Sequence, residues 1–201
     1  MTISTLFLIT TILSGEKITM ILSYQDILAA IEAREIIITP YDESAVGPCS
    51  IDLKLGDTFL VFHHGRLFRP NDRKAILKNS EVFRIEKDES FLLSPNQFVL
   101  ASTLEKISIS KKYAATLQGK SSIARLGIVV QAAGLVNPGT GLKDPTTLTL
   151  EIAHQANSPV ELVPGMPIIQ IIFHQLTSEA DVGYDDREKS MYIGLSAEPR
   201  V

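Results

Sequence analysis

The sequence predicts a mainly β fold, a jelly roll or barrel preceded by one helix and carrying few other helical turns. Three observations point there. Short runs rich in β-branched and apolar residues recur along the chain. Gly, Pro, Asn and Asp separate those runs. A 3.6-residue apolar period is confined to one segment near the N-terminus.

The helix comes first. Ile27, Leu28, Ile31 and the later Ile36 fall near helical spacing around Tyr24 to Ala33, and Ser23 with Asp26 resembles a capping box. The strand-like runs follow at Ser50–Leu55, Thr58–Phe62, Ser90–Leu93, Phe98–Leu104, Ala114–Leu117, Gly127–Val130, Thr147–His154 and Pro167–Phe173. Turn residues stand between them at Leu55-Gly56-Asp57, Pro95-Asn96, Asn137-Pro138-Gly139 and Pro164-Gly165. Many short strands at this spacing suit a jelly roll or barrel.

Residues 1–19 read as an extension. The apolar run from Leu6 to Leu13 is too short to span a bilayer, and no Lys or Arg precedes it as a signal peptide requires. After Ser178 the chain turns polar, with Asp181, Asp185, Asp186, Arg187, Glu188 and Lys189, and reads as loose or docked on a partner. The expected division is an extension (1–19), one domain (20–178) and a tail (179–201).

Composition narrows the function. The chain has 201 residues, enough for one domain with a real core, and a formal net charge of −4, which argues against non-specific nucleic-acid binding. No segment has eighteen unbroken apolar residues, so no membrane partner is expected. The single cysteine, Cys49, rules out an internal disulfide framework and a Cys-rich zinc site. It is expected as a small, partly buried residue at a strand start, in a reducing cytoplasm. His63, His64, His154 and His174 have no paired metal-ligand spacing.

The densest chemistry lies in Gly119-Lys120-Ser121-Ser122-Ile123-Ala124-Arg125-Leu126-Gly127. Ser121 or Ser122 can cap a short helix that carries Arg125 one turn later. Free N–H groups, hydroxyls and a guanidinium together suit a phosphate, although a capped surface helix with a solvated Arg has the same pattern. Next come Gln131 to Gly139 and Thr147 to Ile152, which read as a β-hairpin with a long tip. Ala132, Ala133 and Gly134 would let a ligand approach the backbone. In strict alternation Glu151 faces away from Leu150 and Ile152, alongside Thr149 and Ala153. It is either an exposed strand residue or a desolvated acid–base group.

These stretches resemble the dCTP deaminase and dUTPase family. The first is similar to the Gly-Arg-Ser-Ser-x-x-Arg-Leu-Gly motif of dCTP deaminases. Ala133-Gly134-Leu135-Val136-Asn137 resembles the hairpin that holds pyrimidine and sugar, and Leu148-Thr149-Leu150-Glu151-Ile152 the strand that carries the deaminase glutamate. Gly47 to Gly56, Leu100 to Glu105, Pro164-Gly165-Met166 and Gln170 fit as well. The similarity runs in the family's order from Met20 to about Leu176.

The resemblance implies a dUTPase-type distorted jelly roll, assembled as a homotrimer with sites shared between subunits. The activity implied is zinc-independent deamination of dCTP to dUTP and ammonia, a step toward dUMP and dTTP. Glu151 would activate water, with Ser121 and Arg125 orienting water and substrate. Lys120 and Ser122 would contact phosphates, and the backbone at Ala133 and Gly134, with Asn137, would hold base and sugar. Gln170, Tyr184 and Lys189 complete the implied binding set, the tail closing over the nucleotide. Magnesium would ride on the triphosphate.

Departures are specific. Lys120 replaces the family's first motif arginine and lacks its bidentate fork. Bifunctional members and dUTPases carry an aspartate where Asn137 stands. The tip from Gly139 to Thr146 is about four residues longer than usual. One residue is missing between Arg125 and Asn137, and the family's histidine there is gone. In the tail, Tyr184 and Tyr192 keep the family's tyrosines. Met191 and Leu195 replace its lysine and glutamine, with Lys189 two residues from the lysine's place. The altered tail and tip favour one alternative, a non-catalytic or regulatory nucleotide-binding homologue, which Glu151, Ser121 and Arg125 oppose; the other alternative is a dUTP or modified-nucleotide hydrolase. Asn137 weighs against the hydrolase.

Overall fold

The structure is a computed structural model and describes residues 20–131, 134–190, 193 and 199. The extension 1–19, Ala133, Met191, Tyr192 and Leu195 lie outside the described residues.

The chain opens with α1 (Tyr24–Glu32). Asp26 Oδ2 accepts from both Ser23 N (3.2 Å) and Ser23 Oγ (2.6 Å), so the first turn is tied to the residue before it. Ile27 and Ala30 are the buried face. Ile36 is not part of this helix. It starts β1 (Ile36–Thr39), because Arg34, at φ 56°, turns the chain before it.

The central element is β2 (Ile51–Phe62). Two runs read from the sequence, Ser50–Leu55 and Thr58–Phe62, are one strand. Gly56 does not end it but bends it: a Cβ there would lie 2.9 Å from the Ser102 carbonyl oxygen. The register with β5 (Phe98–Thr103) shifts between Leu55 and Phe59, as at a bulge. On its other edge β2 pairs first with β12 (Pro167–Gln175), Ile51 opposite Ile171, and then with β3 (Ser80–Arg84).

The remaining elements are α2 (Arg73–Lys78), β4 (Phe91–Leu93), β6 (Lys106–Ile109), β7 (Tyr113–Gly119), α3 (Ser121–Ala124), β8 (Ile128–Gln131), β9 (Leu135–Val136), β10 (Thr149–His154) and β11 (Val160–Leu162). The large antiparallel sheet has the order β8-β10-β5-β2-β12-β7-β9, with β3 beside β2, while β1 pairs β6 and β4 pairs β11. Its two ends curl toward each other, since a Cβ on Gly119 of β7 would lie 3.2 Å from the Val130 oxygen of β8. The expected mainly β barrel-like fold is therefore present. The core is aliphatic, built on residues such as Leu53, Ile107, Ile152, Ile169 and Ile171, with Phe59 stacked on Phe91.

Cys49 is exposed, which corrects its expected partial burial; β2 begins only at Ile51, two residues later. No helix among the described residues is long and apolar enough to cross a membrane.

Residues 20–22 extend the sheet edge at β12. Leu22 N donates to Phe173 O (3.0 Å), Gln175 N to Met20 O (2.9 Å), and Leu22 is buried. A chain beginning at Met20 should therefore melt at the same temperature as the full protein. One beginning at Ser23 loses these bonds and a buried leucine, and should melt roughly 5–10 °C lower by circular dichroism. Equal melting of the Ser23 chain would contradict the packing role of this segment.

Candidate functional site

Two groups of polar side chains stand out, each built by a different part of the sheet. The first lies where β2, β12 and β7 run side by side. In β2 the alternation that buries Ile51 and Leu53 leaves Asp52 on the other face. Asp52 is cross-strand from Gln170, and Gln170 from Gln118. Gln170 Nε2 donates to Asp52 Oδ1 (3.0 Å) and more weakly to Ser50 Oγ (3.4 Å). Lys120, leaving β7, forms an ion pair with Asp52 Oδ2. Both charged side chains are about one quarter exposed (21% and 28%), so the ammonium is already half-compensated within the chain.

Lys120 is also the residue that caps α3, in extended backbone conformation and without a side-chain cap bond. This corrects the expectation that Ser121 or Ser122 caps the helix: they are its first two residues and both are exposed. Arg125 follows one turn later, its N–H donating to Ser121 O (3.1 Å). Among the described residues the side chains of Ser121, Ser122 and Arg125 make no hydrogen bond or ion pair. Two hydroxyls and a guanidinium thus project into solvent beside the Lys120–Asp52 pair, free to receive an anion.

The second group gathers at the seam where the sheet curls. The chain leaves β8 at Gln131 and crosses to the far edge, where β9 pairs with Ala115 and Thr116 of β7 and Gly134 O accepts from Leu117 N (3.4 Å). Gly134 has φ 71°, with open space where a Cβ would stand. The chain then returns through Asn137 and the long tip to β10, which pairs with β8 on one side and β5 on the other. Glu151 is opposite Gln131 on β8 and Leu100 on β5. Leu150, Ile152 and His154 of β10 are buried, whereas Thr149, Glu151 and Ala153 are half-buried on the opposite face, the alternation read from the sequence. The Glu151 carboxylate therefore stands between a buried leucine and an exposed carboxamide.

Asn137 makes the turn that follows β9, its carbonyl accepting from Thr140 N (3.2 Å) and Thr140 Oγ1 (2.8 Å). Tyr184 is brought beside it, since Tyr184 N donates to Pro138 O (2.7 Å). Lys189 is exposed. The sequence set thus divides. Lys120, Ser121, Ser122, Arg125 and Gln170 fall in the first group; Gly134, Asn137, Glu151 and Tyr184 fall in the second. Among the described residues no hydrogen bond or ion pair joins the two.

Two site residues escaped the sequence reading. Asp52 was legible only as an acid in an alternating run, and its partners Gln170 and Lys120 are more than sixty positions away. Gln131 had no signal of its own; the register of β8 against β10 reveals it.

Residues 21–176 match the family described as dCTP deaminase-like. A protein of Streptomyces avermitilis named dCTP deaminase, dUMP-forming, is 42% identical over 179 residues, covering 87% of this chain and 91% of that one. A dCTP deaminase of Haloarcula marismortui is 38% identical over 182 residues, covering 88% and 91%. The crystal structure of 2'-deoxycytidine 5'-triphosphate deaminase from Agrobacterium tumefaciens shares the fold, with a TM-score of 0.60 at 22% identity. It matches 78% of this chain, which spans about half (48%) of that one.

The pairing of Gln131 with Glu151 can be checked by cross-linking. Directly opposed residues of antiparallel strands have Cα atoms about 4.5–5.5 Å apart, within disulfide reach. With Cys49→Ser as background, Gln131→Cys with Glu151→Cys should lose both thiols on mild oxidation. Gln131→Cys with Leu150→Cys, on opposite faces, should keep them. Equal oxidation of the two pairs would overturn the register.

Proposed function

The chain belongs to the dCTP deaminase-like family, and on that premise we propose that it hydrolyses dCTP to dUTP and ammonia, supplying deoxyuridine nucleotide toward dUMP and dTTP in the cytoplasm. The observation that most supports the reading is Glu151: a half-buried carboxylate on a rigid strand, beside the seam where Gly134 leaves the backbone open.

In this mechanism Glu151 takes a proton from water as the water oxygen bonds to C4 of cytosine. The tetrahedral centre then collapses, the C4–N bond breaks, and Glu151 returns the proton so that nitrogen leaves as ammonia. Arg125 and Ser121 orient the water and the pyrimidine. Lys120 and Ser122 contact the phosphates, which must compete with Asp52 for the ammonium. The backbone at Ala133 and Gly134 reads the base, Asn137 and Gln170 hold the sugar side, and Tyr184 and Lys189 in the tail close over the phosphates. Magnesium enters as part of the nucleotide, and zinc has no role. The sequence supports that last point with one cysteine and no paired ligand spacing.

A second reading gives dUMP and pyrophosphate instead, favoured by the Streptomyces avermitilis relative's name. Asn137 opposes it, because a carboxamide cannot serve as a carboxylate base for the second hydrolysis. Separate assays for ammonia and pyrophosphate decide the question. Ammonia alone is expected; both in equal yield establish the second reading, and neither leaves a regulatory nucleotide-binding protein. Glu151→Gln should lower ammonia release by on the order of 10²–10⁴-fold with dCTP binding retained. Arg125→Ala should weaken both. Glu151→Gln releasing ammonia at nearly the normal rate would end this mechanism.

We further propose a homotrimer whose sites draw Arg125 from one subunit and Glu151 from another. The exposed side chains of Ser121, Ser122 and Arg125, unpartnered among the described residues, are open to a neighbouring subunit and support it. Unfolding and refolding the Glu151→Gln and Arg125→Ala chains together should then restore part of the activity that each lacks alone. No recovery in the mixed protein would contradict shared sites.

A further inference from the structure

The described part of the tail is not loose. It is fastened to the long tip that follows Asn137, and the fastening is a buried carboxylate. Asp185 is 4% exposed. Its Oδ1 accepts from Gly141 N (3.3 Å) and its Oδ2 from Lys143 N (3.0 Å). Lys143 reaches back with its ammonium to the Asp185 carbonyl oxygen and, at 3.9 Å, to Asp186 Oδ1. Two more backbone bonds join the same segments, Tyr184 N to Pro138 O (2.7 Å) and Asp185 N to Gly139 O (3.4 Å).

The approach is close enough to require glycine at 139 and to leave little room at 183. A Cβ on Gly139 would lie 2.5 Å from Gly183 Cα, and one on Gly183 would lie 3.2 Å from Gly139 Cα. The tip in turn rests on β6: Ile109 N donates to Thr140 O (3.0 Å), and a Cβ on Gly141 would lie 2.2 Å from Ile107 O. Gly141 and Lys143 belong to the tip from Gly139 to Thr146, which therefore supplies both amides that Asp185 binds.

We infer that Asp185 is a positioning residue, whose carboxylate locks the start of the tail to the tip so that Tyr184 and Asn137 meet the nucleotide as one unit. A buried carboxylate that accepts two N–H groups holds its segment far more firmly than an exposed ion pair. The lock holds Tyr184 beside the turn at Asn137, where its N–H donates to Pro138 O. This inference rests on the proposed nucleotide site at Asn137 and Tyr184.

The test uses the full chain and Asp185→Asn. The carboxamide keeps the shape but points an N–H pair at one of the two amide donors. Hydrogen exchange should show the Gly141 and Lys143 amides protected in the parent protein and exposed in the variant. The KM for dCTP should rise about 10-fold or more, with kcat changed less than about threefold, because the lock positions substrate contacts and touches no reacting atom. If Asp185→Asn does not fold, Gly183→Val serves instead. Its backbone (φ −78°, ψ 164°) accepts valine, whose Cβ would press on Gly139 Cα at 3.2 Å, with the flexible Asp186 and Lys111 side chains at 3.3 and 3.5 Å. It should give the same KM–kcat split.

Unchanged exchange at Gly141 and Lys143 overturns the lock. Exposed amides with an unchanged KM overturn the positioning role, as does a fall in kcat alone. Absence of dCTP turnover in the parent protein counts against the proposed activity. The equilibrium affinity for dCTP, compared between parent and variant, then decides the positioning role in the same two directions.

Discussion

The structure depends on β2 being continuous through a point where no side chain fits. One strand serves two neighbours on the same edge, β12 along its first half and β3 along its second, and β5 runs along the other edge. A straight strand cannot do this in a curling sheet. The bend is made at Gly56, pressed against the Ser102 carbonyl. From that bend follows the direction of everything attached: β12 and β7 on one side, carrying Asp52's partners, and β5, β10 and β8 on the other, carrying Glu151.

The two polar groups are therefore consequences of one bend rather than of separate motifs. The first is compensated within itself by the Lys120–Asp52 pair and the Gln170 bond. It still leaves Ser121, Ser122 and Arg125 without partners among the described residues. Two exposed hydroxyls on a four-residue helix and an exposed guanidinium at its C-cap add little to stability. The second group has the opposite character. Glu151 stands on a strand paired along both edges, with a buried leucine at one side, so its place is set by the sheet.

The sequence revealed local patterns well and long-range pairings poorly. Ser23 and Asp26, three positions apart, announced the start of α1, and the alternation around Glu151 was visible because period two is local. The same locality misread Gly56 as a break between strands, since a bulge and a turn use the same residue, and only the Ser102 backbone opposite distinguishes them. Ile36 fell near helical spacing, yet Arg34 at positive φ had already ended the helix. Gln131 and Asp185 carried no motif at all. Each has its role through a partner brought close by register or by the fold, and a single sequence does not contain that distance. The family resemblance, by contrast, rested on motifs in sequence order and needed no spatial pairing.

The strand β3 has a different significance. Among the described residues it pairs only with β2, and it exposes Val82 and Phe83 while Arg84 reaches Asp57 in an exposed ion pair. A strand bonded along one side, with apolar side chains showing, is the kind of edge onto which another chain can add itself. Glu81 and Arg84 bracket the two apolar residues with opposite charges, so a second copy laid antiparallel in register meets attraction, not repulsion. Storage at high concentration and low salt is thus the condition under which this molecule is most exposed to slow self-association. A lysine in place of Val82 would protect its solubility without touching either half of the site.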